Sequence, residues 1–159
     1  MRKSKNTTRH LAREQAFQIL YGLSFSPVGT RDELVKAFLG SPQAAKDAPV
    51  PAAEPSGFSW ELVEGVWTFR DSLDETIARY SRNWKVDRIG RIELTLLRLA
   101  VFELLFRNDV PPKVVMNEAL DLSAQFGDGT ANKFINGILD SVAKALENGE
   151  VTAQTREKH

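Results

Sequence analysis

The sequence contains no cysteine among its 159 residues. Without a thiol, the chain has no means of forming a disulfide framework, a thiolate-bound zinc site or a cysteine nucleophile. Histidine is almost as scarce, since only His10 and His159 are present, and two such residues do not supply a catalytic triad or a histidine-rich metal cluster. The glycine-rich spacings that cradle phosphates are missing too. We therefore expect a protein that is not an enzyme and that uses no metal or other cofactor.

Long hydrophobic runs are also missing. No apolar stretch approaches the roughly 18–20 residues that a membrane span requires, and no apolar segment follows the basic N-terminus as it would in a signal peptide. Lysine and arginine together number 21, as do aspartate and glutamate, so the formal net charge is zero. No overall field attracts the chain to nucleic acid or to a membrane surface. We expect a cytoplasmic protein without membrane contact, in which any attraction for nucleic acid is local.

The composition is that of an ordinary globular protein, with 42% hydrophobic and 26% charged residues. Its length suits one domain with a real core. We expect a flexible basic segment over residues 1–7, a single all-helical domain over 8–147 and a disordered polar tail over 148–159. Inside the domain, the proline- and alanine-rich stretch 40–57 predicts a loop that joins two helices, and we assign it no role.

Hydrophobic periodicity and capping residues predict an all-α protein of about seven helices. The expected helices cover about 8–22, 30–39, 59–83, 92–106, 112–126 and 130–146, with a short turn or helical piece over 84–89. The stretch 92–106 is apolar almost all round, which predicts a central helix surrounded by others. Its Arg98, together with Glu103 and Glu118, predicts a paired ion network that orients helices.

The first helix is expected to begin at a cap formed by Thr7 or Thr8. We expect Leu11 to face the core together with Ala16, Ile19 and Leu20, and we expect Arg9 and Arg13 to share a different face. Near the end of the chain, Gly127 is expected to end a helix in the left-handed conformation, and Thr130 to cap the next one.

Positive charge is concentrated at the start of the chain. The first thirteen residues contain no acid, and their basic residues are Arg2, Lys3, Lys5, Arg9, His10 and Arg13. Cations at a helix N-terminus oppose the helix dipole and cost ~0.3–1 kcal/mol each at low salt. A bound phosphate would offset this cost, but a solvated basic terminus is equally ordinary, so composition alone leaves both interpretations open.

Three segments, in order along the chain, resemble the NusB family of bacterial transcription antitermination and ribosomal-RNA factors. The first runs from Arg9 to Glu14 and continues with Ala16 and Leu20-Tyr21. The second runs from Leu97 to Leu104 and continues from Asp109 to Val115 and from Asn117 to Ala119. The third runs from Phe126-Gly127 and from Lys133 to Asp140. The resemblance is dense from about 84 to 140, and it implies two packed three-helix bundles.

The resemblance also implies a function. A member of this family would bind the single-stranded boxA element of leader RNA together with NusE, the small-subunit ribosomal protein. The pair would join RNA polymerase in an antitermination complex and support ribosomal RNA transcription and maturation. Some relatives pair with themselves, so a homodimer is a further expectation.

The resemblance and the basic start together predict the binding residues. Those expected to bind RNA are Lys3, Lys5, Arg9, His10, Arg13, Gln18, Tyr21, Lys133 and Phe134. Those expected to contact a protein partner are Tyr80, Arg88 and Arg91. His10 stands where the family usually has arginine, so one charge depends on pH, and Phe134 is as readily a core residue. The loop 128–132 departs from the family pattern, which removes the basis for RNA contacts there.

Two other interpretations use different features. A helical protein–protein adaptor without RNA binding of its own would be favoured by exposed apolar side chains among Trp67, Tyr80 and Phe106. An RNA cytosine methyltransferase with a NusB-like N-terminal domain is rejected, because the sequence has neither a cofactor-binding α/β segment nor a cysteine for methyl transfer.

Overall fold

The computed structural model describes residues 2–41, 55–81 and 86–151, with side chains from Thr8 onward in the first helix. Within these ranges all regular structure is helical, which confirms the all-α class and the predicted number of helices. The helices are α1 (Arg2–Phe25), α2 (Arg31–Leu39), α3 (Phe58–Thr68), α4 (Arg70–Tyr80), α5 (Arg91–Phe106), α6 (Pro112–Phe126) and α7 (Asn132–Glu147), with a 3-10 turn at Val86–Arg88. None of the described helices is long and apolar enough to cross a bilayer.

The chain forms two compact units. The N-terminal unit, residues 1–67, contains α1, α2 and nearly all of α3; the C-terminal unit, residues 68–159, contains α4 to α7 and the 3-10 turn. Three predicted features lie partly outside the described residues. These are most of the loop 40–57, the start of the turn 84–89 with the end of the helix before it (82–85), and the tail 148–159 from residue 152 onward.

In the N-terminal unit, a capping box stabilises the start of α2, and an aromatic pair packs α2 against α3. The hydroxyl of Thr30 accepts a hydrogen bond from the Glu33 amide at 3.2 Å, and the Glu33 carboxylate accepts one from the Thr30 amide at 3.1 Å. This capping box satisfies amides that the first helical turn leaves without partners. Farther along, the rings of Phe38 and Trp60 meet edge to face at 5.1 Å. The cap therefore fixes where α2 begins, and the aromatic pair joins α2 to α3.

Helix α1 differs from its prediction in where it starts and in which side it buries. Its backbone is helical from Arg2, so a start at Thr7 or Thr8 is wrong. Leu11, expected in the core, is 56% exposed, whereas Arg13, expected outside, is only 3% exposed. Arg13 lies on the side that also buries Ala16 and Leu20. The buried stripe of α1 is thus continued toward the N-terminus by arginine rather than by leucine.

The single helix expected over 59–83 is two helices. Phe69 separates α3 from α4, and the Leu73 amide donates to the Phe69 carbonyl at 2.9 Å to start the new helix. The Phe69 ring lies 4.5 Å from the Phe106 ring. Hydrophobic periodicity runs through both helices, so it does not reveal the interruption.

In the C-terminal unit, α5 is the central helix that the sequence predicts. Every residue from Leu99 to Phe106 is buried, as are Thr95 to Leu97. Arg98 interrupts this run, and its guanidinium binds both carboxylate oxygens of Asp74 on α4, at 2.7 and 2.8 Å. Arg98 and Asp74 are 27% and 28% exposed, so Arg98 forms a boundary ion pair and is not part of a buried network.

The ends of α6 and α7 show two further corrections. Pro112 opens α6 as expected, and Gly127 follows its last residue, but Gly127 has φ −104° and is not left-handed. A Cβ there would lie 3.0 Å from the Ser123 carbonyl oxygen, so close backbone approach favours glycine. The residue preceding α7 is Ala131, and Thr130 does not cap the helix. Instead, the Thr130 hydroxyl and amide donate to Asp128 at 2.7 and 3.0 Å.

Candidate nucleic-acid interface

Two predicted RNA-binding arginines converge on one aromatic ring. Arg9 and Arg13 are four residues apart on α1, which places them about 40° apart around the helix axis. Their guanidinium carbons lie 4.6 and 5.2 Å from the centroid of Phe58, the first residue of α3. Arg9 is half-buried, whereas Arg13 is almost fully buried. Part of the Arg9 side chain thus remains exposed, while the prediction that Arg13 lies on an exposed face is wrong.

The ring that Arg13 meets is one physical reason for its burial. Arginine has an apolar stem and a planar, weakly hydrated guanidinium group that stacks on aromatic faces. Phe58 supplies such a face, and the attraction of a cation for it grows when water is excluded. The sequence spacing of arginines cannot show this, because the ring is 45 positions farther along the chain.

The other predicted residues of α1 do not share one face with Arg9. Gln18 is nine residues on, which is about half a turn around the axis from Arg9. His10 lies 3.9 Å from the Glu14 carboxylate, one turn away. Tyr21 is half-buried, and its ring lies 5.7 Å from Phe17 and 5.1 Å from Phe25. Tyr21 therefore belongs to a small aromatic cluster, while Lys3 and Lys5 have side chains outside the described residues.

In the C-terminal unit, the predicted RNA residues are adjacent at the start of α7. Lys133 is exposed and Phe134 is half-buried, and both lie in the first turn of the helix.

The residues predicted to contact a protein partner lie elsewhere in the C-terminal unit. Tyr80 ends α4 with the Arg79 guanidinium 5.9 Å from its ring, while the exposed Arg88 and Arg91 lie in the 3-10 turn and at the start of α5.

The exposed apolar residues are not those that the adaptor interpretation names. Phe106 is buried, and Trp67 is half-buried with its indole nitrogen donating to the Val28 carbonyl at 3.4 Å. The large exposed hydrophobic residues include Leu11 and Phe25, at 56% and 57%. These two lie about 40° apart around α1, on the side away from the buried stripe.

Among the described residues no group of three histidine, aspartate or glutamate side chains is placed to bind a metal ion.

The chain has close relatives across most of its length. The NusB family model matches residues 10–144, and the transcription antitermination protein NusB of Desulfovibrio desulfuricans is 62% identical over 154 residues, covering 95% of this chain and 93% of that protein. The chain belongs to the NusB family. The family comprises transcription antitermination factors, which confirms the resemblance found in the sequence.

Solved NusB structures share the fold. NusB of T. maritima superimposes with a TM-score of 0.69 at 27% identity, covering 90% of this chain and 97% of that one. The structure of antitermination factors NusB and NusE in complex with dsRNA superimposes with a TM-score of 0.68 at 29% identity, covering 86% of this chain and 96% of that one. A NusB relative thus forms a complex with NusE and RNA, and the RNA in that complex is double-stranded.

Phe58 is the candidate residue in this NusB-family chain that the sequence did not reveal. It follows Gly57, which has φ +96° and opens α3 directly after the proline-rich stretch. An aromatic residue at the start of a helix is equally typical of the hydrophobic core, and neither sequence neighbour of Phe58 is charged. Only the packing of α3 beside α1 brings it to the arginines.

Hydrogen bonds in the turn before α7 shift the pKa of one carboxyl group, that of Asp128. Hydrogen bonds from the Thr130 hydroxyl and, secondarily, from its amide lower the pKa of Asp128 below the usual carboxyl value. The carboxylate therefore stays ionised to lower pH than a free one. Its two hydrogen bonds with Thr130 stabilise the turn that leads into α7.

Proposed function

We propose that this chain binds boxA leader RNA together with NusE and thereby joins the RNA polymerase antitermination complex that supports ribosomal RNA transcription and maturation. The observation that carries the proposal is the position of Arg9. It is half-buried against Phe58 at the acid-free start of a chain whose family includes an RNA- and NusE-bound member. Phosphate contacts by such cations hold the RNA backbone, while unpaired bases supply sequence recognition.

Because Arg13 is buried, we divide the predicted RNA-binding residues into those that contact phosphate and Arg13, which packs against Phe58. Arg9 and Lys133 are accessible enough to meet phosphate, and His10 adds a charge only when it is protonated. Arg13 supports the ring on which Arg9 lies. With about three phosphate contacts, the logarithm of affinity should fall with the logarithm of salt with a slope of about −2 for a single strand.

The test measures boxA RNA binding by fluorescence anisotropy, with and without NusE, at two salt concentrations. We expect Arg9→Ala and Lys133→Ala each to weaken binding and to reduce the salt slope by about 0.7. Lys144→Ala is the matched control for Lys133→Ala, because Lys144 lies at the other end of α7 and pairs with Asp140 at 3.0 Å. Equal effects of the two lysine variants would contradict a localised contact.

A duplex of the same sequence is measured in parallel, because the RNA bound by the structural relative is double-stranded. Tighter binding of the single strand supports the proposal, and equal or tighter binding of the duplex contradicts the single-strand assignment. The adaptor alternative predicts NusE binding with no detectable RNA binding. It would place the contact on the exposed side of α1, where Leu11 and Phe25 lie.

A further inference from the structure

We propose that Phe58 is a positioning residue for RNA binding, which holds the Arg9 guanidinium in the orientation that meets phosphate. The inference rests on the proposed function and deepens it. Its motive is a geometry that the family assignment does not predict: two guanidinium groups of α1 lie within 4.6 and 5.2 Å of one ring of α3.

Two cations that meet one ring repel each other, and contact with an aromatic face is one interaction that offsets this repulsion. The face of an aromatic ring is negative, so it attracts both cations, more strongly where water is excluded. Arg13 is only 3% exposed and so has little access to solvent. Phe58 therefore stabilises both cations, the buried one and the accessible one.

The consequence for binding is preorganisation. Arginine has a long side chain with many rotamers, and fixing them on complex formation weakens affinity. Because Arg9 already lies on the Phe58 ring before any ligand arrives, part of that ordering is complete in the free protein. The guanidinium is planar and its N–H groups lie in that plane, so contact with the ring through its face does not itself use the donors that bind phosphate.

The first experiment titrates boxA RNA against wild type, Phe58→Leu and Phe58→Tyr. We expect Phe58→Leu to weaken RNA binding by about tenfold, and Phe58→Tyr, which keeps an aromatic face, to retain affinity within about twofold. NusE binding should be unchanged in both variants. Phe69→Leu is the matched control, because it removes an aromatic contact whose partner is Phe106 rather than a cation, and it should leave RNA affinity unchanged.

The second experiment separates positioning from simple loss of packing. If Phe58 acts through Arg9, the double variant Arg9→Ala/Phe58→Leu should lose no more RNA affinity than Arg9→Ala alone loses. Independent, additive losses would overturn the inference. Replacing Phe58 by a trifluorinated phenylalanine keeps the ring's shape but removes its negative face. This variant should weaken RNA binding while lowering the melting temperature less than Phe58→Leu does, because the ring's shape and packing are kept and only its attraction for the cations is lost. The test therefore stays valid even where leucine disturbs folding.

The outcomes distinguish this inference from the proposed function. If wild type binds boxA RNA and Arg9→Ala weakens it, but Phe58→Leu and the trifluorinated ring do not, then the function stands and the positioning role is overturned. If wild type does not bind the RNA at all, both fail.

Discussion

Helix α1 of the N-terminal unit and helix α5 of the C-terminal unit each place an arginine among apolar residues, and the two arginines behave in opposite ways. Arg13 on α1 is almost fully buried and lies over the Phe58 ring, whereas Arg98 on α5 is 27% exposed and binds the Asp74 carboxylate. From the sequence, Arg13 is expected outside and Arg98 inside. The difference teaches that the residue facing an arginine decides its burial more than the helix that carries it.

The two partners explain the two outcomes. A carboxylate and a guanidinium that are both buried lose most of their hydration, so such pairs are favoured at the boundary, where water still reaches both groups. An aromatic ring has little hydration of its own to lose, so it adds a favourable contact for a buried guanidinium, which still loses its own hydration. The ring is therefore one of the interactions of Arg13, and the arginine stem packs against apolar neighbours. The apolar core of α5 excludes Arg98, while the start of α3 admits Arg13.

The largest expected change in stability tests whether the residues around Arg98 on α5 form the core of the C-terminal unit. Leu97 is fully buried in α5, next to Arg98 in sequence. Leu97→Ala should lower the free energy of unfolding by about 2–5 kcal/mol, because the helix is surrounded and the cavity cannot collapse. Urea denaturation measures this, with Leu11→Ala as control; it should change stability by less than about 0.5 kcal/mol. Equal losses in the two variants would contradict the burial pattern.

The next prediction tests whether Arg13 is part of the core. Arg13→Ala should destabilise the chain by about 1–2 kcal/mol, since it removes both the contact with the ring and the packed stem. Arg9→Ala, at a half-buried position, should destabilise it less while weakening RNA binding more. The same two variants are compared by thermal melting and by RNA titration. If Arg13→Ala weakened RNA binding more than Arg9→Ala and left stability unchanged, Arg13 would be the RNA-binding residue, which contradicts the prediction.

A smaller effect is expected for the boundary ion pair of the C-terminal unit. A double-mutant cycle with Asp74→Ala and Arg98→Ala should give a coupling energy of about 0.5–1 kcal/mol, since both side chains remain partly solvated. The exposed pair between Lys144 and Asp140 serves as control and should show almost no coupling. A coupling of several kcal/mol would mean that the pair is far less hydrated than its exposure indicates.

The smallest effect concerns the turn before α7. Because hydrogen bonds from Thr130 lower the pKa of Asp128 in the folded chain, its contribution to stability is full above the ordinary carboxyl pKa. That contribution is lost as the pH falls through the lowered pKa. Asp128→Ala should therefore lower the melting temperature slightly at neutral pH and by progressively less as the solution is acidified. A difference from wild type that grows at acid pH would have the wrong sign.

Several features of this chain were determined by sequence alone. The all-helical class, the central position of the largely apolar α5, the proline start of α6 and the resemblance to the NusB family all follow from residues near one another in the chain. Periodicity and capping act over a few turns, so local sequence contains the information they need.

The tertiary structure alone decided which side of α1 is buried and where the helix around Phe69 is broken. It also decided that Arg13 lies on a ring while Leu11 faces solvent. An amphipathic pattern shows that a helix has a buried side, but a mixed pattern of leucine and arginine fits more than one rotation about the axis. The choice depends on what the neighbouring helix presents, here Phe58, and that contact is distant in sequence.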